Sequence, residues 1–116
     1  MHELSIALGI VDVVSEELSR LGAVRVDAVH LRLGALSGVV KEALLFSFEA
    51  AAAGTPIDGA RLQIEDVAAT VWCASCAAER ALASVALRRC PVCNAVAPEI
   101  VRGEELEVIG LEVVDA

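Results

Sequence analysis

Apolar residues first recur at helical spacing. Leu4, Leu8, Val11, Val14, Leu18 and Leu21 follow one another in steps of three and four, the stripe of an amphipathic helix, and Gly22 stands just past it as a stop. A helix over about residues 4 to 21 is expected. From Val24 to Leu33 the period changes to two. Val24, Val26 and Ala28 share one phase and Val29, Leu31 and Leu33 the other, which reads as a strand with a bulge near Ala28. Ser37-Gly38 makes a turn. Leu44, Leu45, Phe48 and Ala52 then mark a second helix that closes at Gly54, with Pro56 forbidding continuation. A second strand is expected from about Arg61, with Leu62 and Ile64 inward and Gln63 and Glu65 outward, leading through Val71 and Trp72 into a pair of cysteines. Near the end, Leu106, Val108, Leu111 and Val113 interleave with Glu105, Glu107 and Glu112 as a last strand.

That last strand is too short to stand alone and should return to the sheet made by the first two. The expected class is α+β. A small three-stranded sheet with two helices would occupy residues 1–70 and 104–116, and a cysteine-bearing segment, 71–103, would be inserted between two of its strands. There is no internal repeat, and the short Ala run at 50–53 fits a helix.

Composition narrows the function classes. The chain has 116 residues, 57% of them hydrophobic. Charges such as Asp12, Glu42 and Glu49 interrupt every apolar stretch well short of the roughly 18 residues a membrane span needs. The start, Met1-His2-Glu3, has no basic region ahead of an apolar stretch, so the sequence carries no sign of a secretory signal. A cytoplasmic protein is expected. Seventeen acids against nine bases give a net charge of -8, which opposes binding to nucleic acid over most of the surface. With Phe46, Phe48 and Trp72 as the only aromatics, the stacking platforms of single-strand binders are missing too.

All four cysteines fall as two Cys-x-x-Cys pairs, Cys73 with Cys76 and Cys90 with Cys93. Each pair puts two sulfurs on one tight knuckle, and two facing knuckles give the four-thiolate set that Zn²⁺ accepts. Paired cysteines in the cytosol are ligands more often than disulfides. Pro91 fixes φ inside the second knuckle and Asn94 tolerates the left-handed conformation after it. The first knuckle has Ala77 at the equivalent place, so a different turn or some strain is expected there. Arg80, Arg88 and Arg89 can offset the negative charge of four thiolates around a dication. A closed four-sulfur site has no open position and is structural by default. Iron in a rubredoxin-type centre, serving electron transfer, is the alternative.

A second metal site can be drawn at the N-terminus. His2 can chelate through the Met1 amine, its own backbone amide and its imidazole, and three nitrogens in a plane suit Ni²⁺ or Cu²⁺. A fourth donor would come from the amide or carboxylate of Glu3, from water or from a partner. Glu3 also suits the first turn of a helix, and His30, within a strand between apolar neighbours, reads as structural or surface.

Met1-His2-Glu3-Leu4-Ser5-Ile6-Ala7, Leu33-Gly34-Ala35-Leu36-Ser37-Gly38, Gly59-Ala60-Arg61-Leu62, Trp72-Cys73 and Gly103-Glu104-Glu105-Leu106 together resemble the HypA/HybF family of hydrogenase nickel-incorporation proteins, over the whole chain. The resemblance implies a nickel metallochaperone for [NiFe] hydrogenase maturation, with a nickel-binding domain and a zinc ribbon. It implies that His2 binds nickel with the Met1 amine and nearby backbone, Glu3 being a further candidate, and that Cys73, Cys76, Cys90 and Cys93 hold structural zinc. Implied partners are a HypB-type GTPase and the hydrogenase large subunit, and some members also supply urease maturation. No constellation of base, nucleophile and pocket suggests an enzyme. The competing classes are a zinc-ribbon scaffold or nucleic-acid module, indifferent to residue 2, and a rubredoxin-like electron carrier, which needs iron.

Overall fold

In a computed structural model, which describes residues 2–22, 24–84 and 86–115, the chain forms α1 (Glu3–Leu21), β1 (Val24–Gly34), α2 (Lys41–Ala52), β2 (Arg61–Val67), β3 (Thr70–Cys73), β4 (Ala78–Ala81), β5 (Ile100–Arg102) and β6 (Leu106–Asp115). One three-stranded sheet has the order β2-β1-β6 and the other β4-β3-β5. The last strand therefore joins the first sheet, as its length requires. The chain divides into two compact units, one of Met1–Leu31, Val39–Ile64 and Val108–Ala116, the other of Arg32–Gly38 and Glu65–Glu107.

In the first unit, α1 packs on α2. The buried face of α1 is Ala7, Ile10, Val11 and Val14, whereas Leu4, Leu8 and Leu21 are about half exposed. The expected stripe is thus shifted around the helix. A pattern count favours Leu over Ala, but a wholly buried Ala7 lets the helix backbone come close to its neighbour. On α2 the buried residues are Leu44, Phe48 and Ala52, with Leu45 left outside and Phe46 77% exposed. Along β1 burial switches phase between Ala28 and Val29, both fully buried, where the alternation of the sequence changes.

Ion pairs record the strand directions. His30 on β1 meets Glu112 on β6, then Arg32 meets Glu107 and the Gly34 amide donates to the Glu105 carbonyl. Partners descend as β1 ascends, the mark of antiparallel pairing. Against β2, Arg32 meets Glu65 and the Ala35 amide donates to the Val67 carbonyl. Those partners rise together, as a strand-helix-strand crossover through α2 requires.

The stretch expected to lead from the Arg61 strand through Val71 and Trp72 into the cysteines forms two strands in two sheets. Ala68 and Ala69 separate β2 from β3. The Ala69 carbonyl accepts the Leu82 amide at 2.8 Å, and Ala69 is buried against Gly103. No turn residue announces this break, because packing imposes it.

Within the second unit two glycines bring backbones together. A Cβ on Gly34 would lie 2.0 Å from the Gly103 carbonyl oxygen, and the Leu36 amide donates to that same oxygen at 2.6 Å. Gly103 has φ 121°, a conformation L side chains rarely adopt. Gly34→Ala should therefore destabilise the protein by roughly 3 kcal/mol, since backbone on both sides would have to part. Gly9→Ala is the control, with nothing near its Cβ and a gain of helix propensity of about 1 kcal/mol. Thermal denaturation should show opposite shifts for the two variants, and equal midpoints would refute the packing argument.

Candidate metal centre

The first knuckle is the turn of a hairpin. β3 and β4 pair antiparallel with Thr70 opposite Ala81, Val71 opposite Arg80, Trp72 opposite Glu79 and Cys73 opposite Ala78, so the ladder closes at the first cysteine. Four residues then turn the chain, and the Cys76 amide donates to the Cys73 sulfur at 3.4 Å. The second knuckle is a smaller hairpin, with Arg89 bridged to Val96. There the Cys90 amide donates to the Ala95 carbonyl at 2.9 Å and the Asn94 amide to the Cys90 carbonyl at 2.8 Å. The amides of Val92 and Cys93 point at the Cys90 sulfur, at 3.4 and 3.5 Å.

Both knuckles use a left-handed residue just after their second cysteine, Ala77 at φ 52° and Asn94 at φ 60°. The first knuckle therefore makes the same kind of turn as the second with a less suitable residue, at a cost of about 1 kcal/mol.

The four sulfurs converge. Cys73 and Cys93 bring theirs to 3.5 Å and Cys76 and Cys90 to 3.8 Å, and all four lie within 4.8 Å of one another. A Zn–S length of about 2.3 Å in a regular tetrahedron gives sulfur–sulfur edges of about 3.8 Å. The donor set thus fits a thiolate-loving tetrahedral dication, and the four cysteines are free thiols rather than disulfides. Cys73 and Cys90 are buried, Cys76 is half-buried and Cys93 is exposed.

Hydrogen bonding sorts the thiols. The amides of Cys93 and Val92 pull the Cys90 thiol down to about 6 against the opposing effect of burial. At Cys93 the Ala95 amide also acts downward, but hydrogen bonding with Cys73, burial, and hydrogen bonding with Cys76 and Cys90 outweigh it and push the thiol up to about 12. A metal that takes all four sulfurs must displace the protons that the thiols retain. Of the three arginines expected to offset the site, Arg80 is the one the cysteines act on, Cys76 first and Cys90 after it holding its guanidinium above the usual arginine range against the opposing effect of burial. Arg89 instead donates to the Asn94 carbonyl at 3.1 Å, and Arg88 is exposed.

The N-terminal candidates lie in the first unit. His2 is the exposed N-cap of α1, its backbone extended and its side chain making no capping hydrogen bond. Its carbonyl accepts the Ile6 amide at 3.3 Å. Glu3 has a partner that the sequence did not disclose, since the Val40 amide at the N-cap of α2 donates to its carboxylate at 3.3 Å. Its own amide first, and that of Val40 second, hold the Glu3 carboxyl below the usual carboxylate range. The Met1 amine lies outside the described residues. His30 is engaged elsewhere, its Nε2 2.6 Å from Glu112, with Arg61 3.9 Å from the other oxygen of that carboxylate. Among the described residues the cysteine set is the one cluster of three or more metal-ligating groups, and no helix is long and apolar enough to cross a membrane.

Comparisons with known proteins converge on one family. A family model described as hydrogenase/urease nickel incorporation, metallochaperone, hypA matches residues 1–113. The chain is 50% identical over 115 residues to the hydrogenase maturation factor HypA of Roseiflexus sp. (strain RS-1), covering 99% of this chain and 94% of the relative. It is 52% identical over 112 residues to the factor of the same name from Chloroflexus aurantiacus, covering 97% and 98%. In fold it is similar to the solution structure of the Ni metallochaperone HypA from Helicobacter pylori, with a TM-score of 0.68, 21% identity and full coverage of both chains.

Proposed function

The chain belongs to the HypA family of hydrogenase/urease nickel-incorporation metallochaperones, maturation factors rather than enzymes, and from that premise we propose that it carries Ni²⁺ on His2 and delivers it to [NiFe] hydrogenase. Cys73, Cys76, Cys90 and Cys93 hold zinc in this reading, and zinc supplies only a cross-link between the knuckles. The nickel-binding domain is residues 1–70 with 104–116, and the zinc ribbon is 71–103. The setting is the cytoplasm, and the partners are a HypB-type GTPase and the hydrogenase large subunit, with urease maturation proteins as further clients.

One observation carries the nickel site. The His2 imidazole is exposed at the very start of α1 and is not used to cap it. With the Met1 amine and the intervening amide it offers three nitrogens in a plane, the arrangement Ni²⁺ prefers and Zn²⁺ does not. Glu3 is fastened to the Val40 amide and so steadies the turn that presents His2, while its second oxygen or a partner's side chain completes the set. An incomplete set lets the partner's donors replace the chain's own, one at a time.

Transfer can be measured directly. Protein loaded with one equivalent of Ni²⁺ is mixed with the GTPase and the nickel-free large subunit, and the metal on each is counted after separation. Nickel should move to the large subunit. Nickel that stays on the chain throughout would contradict delivery.

A further inference from the structure

β2 is an edge of its sheet, with β1 as its one neighbour, so half of its backbone groups point away from the sheet without a ladder partner. The Val67 carbonyl is taken on the inner side by the Ala35 amide, just beyond β1. The alternation of an extended strand then turns the amides and carbonyls of Leu62 and Ile64 outward. Beside the first residues of this edge lies a cavity of about 440 Å³ between α2, the turn at 58–60 and the start of β2. Leu45, Phe48 and Ala52 on α2 and Leu62 on β2 give its apolar lining, and Glu49 and Asp58 give it negative charge. Glu49 is exposed and unpaired among the described residues. Asp58 gives one carboxylate oxygen to the Gly54 amide at 3.0 Å and keeps its charge. Arg61, the one base of the lining, lies 3.9 Å from Glu112 on β6 and is engaged there.

We propose that the free edge of β2 and the cavity beside it receive an extended segment of a partner protein, which adds to the sheet as a further strand, sets an aliphatic side chain among Leu45, Phe48 and Leu62, and carries Lys or Arg two residues to either side. Strand addition takes its affinity from main-chain hydrogen bonds and its specificity from alternate side chains. Side chains two residues apart on a strand face the same way, about 6.8 Å from one another, so the flanking cations reach the acids on either side of the anchor. Glu49 and Asp58 then meet opposite charge, whereas an acidic segment would meet like charge on a chain whose net charge is already -8. A helix or a small molecule in the cavity would leave the outward amides of Leu62 and Ile64 unpaired. The surface lies within the first compact unit and includes neither His2 nor any cysteine, so it is independent of which metals the chain holds.

The test titrates the full-length chain with the synthetic peptide Ser-Lys-Thr-Leu-Thr-Lys-Ser, followed by amide NMR shifts and hydrogen exchange. Shifts should centre on Leu62 and Ile64 of β2 and on Leu45 and Glu49 of α2, and the amides of Leu62 and Ile64 should gain protection. Methylating the peptide's backbone nitrogens at one set of alternate residues should weaken binding roughly tenfold or more by removing the bonds to the edge, while methylating the other set should leave it unchanged. Glu49→Lys, at an exposed position, should also weaken binding by about tenfold, and the same peptide with Glu in place of Lys should not bind the native chain. No binding, shifts centred away from β2 and α2, or equal tolerance of both methylated sets would overturn the proposal. So would shifts of the same amides with chain concentration in the absence of peptide, since they would give the edge to a second copy.

Discussion

Cys73→Ser is expected to lose zinc and unfold the ribbon while α1 and α2 remain folded. Cys73 is the last residue of β3 and is completely buried, so a serine there leaves three sulfurs and a hydroxyl that ionises only well above neutral pH. The second unit has little else to hold it. Its buried hydrophobic residues among those described are Leu33, Ala69, Val71, Ala97 and the candidate ligands Cys73 and Cys90 themselves. Two of its core side chains are therefore candidate metal donors, and only Leu33 and Val71 are large. Structural zinc contributes on the order of 10 kcal/mol to domains of this kind, several times what so small a core supplies. Zinc analysis should fall from about one ion per chain to none, amides of β3 and β4 should lose protection from hydrogen exchange, and the helical circular dichroism should persist. A protected ribbon without zinc would show that its core suffices.

Much of this was legible in the sequence, for a physical reason. The helices, the three long strands and the return of β6 follow from periodicity, which burial enforces along each element. The knuckles follow from the ligand spacing, because chelation needs two sulfurs on one turn. What escaped the sequence depends on which element packs against which. Leu4 and Leu8 stay outside because the buried face of α1 runs through Ala7, Ile10, Val11 and Val14. The break at Ala68-Ala69 is hidden because it is made by Gly103 and Leu82, far along the chain. Arg80 could not be told from Arg88 and Arg89 until the register of β3 and β4 put it opposite Val71. The bond from Val40 to Glu3 joins residues 37 apart in sequence. Ala77 shows that a residue ill suited to the left-handed conformation still adopts it when the metal knuckle requires that turn.

The second large effect concerns His2. Replacing it by alanine removes the imidazole and, in the proposed site, one chelate ring, while leaving α1 intact, since the side chain makes no capping bond. Adding two residues ahead of Met1 keeps the imidazole and converts the amine to an amide, which removes the other anchor of the same chelate. Either change should weaken nickel binding by at least about a hundredfold, roughly 2.7 kcal/mol, with zinc content and helical signal unchanged. The Val40-Glu3 bond makes a graded third case. Glu3→Gln keeps a weaker acceptor for Val40, and its loss of nickel affinity should be the smallest of the three.

The most direct measurement is a nickel titration of the native chain, the His2→Ala variant and the N-terminally extended form, each loaded with zinc and followed by calorimetry. Tight binding of one Ni²⁺ in the native chain alone is the predicted result. Undiminished affinity in His2→Ala would contradict the claim that the cargo sits at the N-terminus.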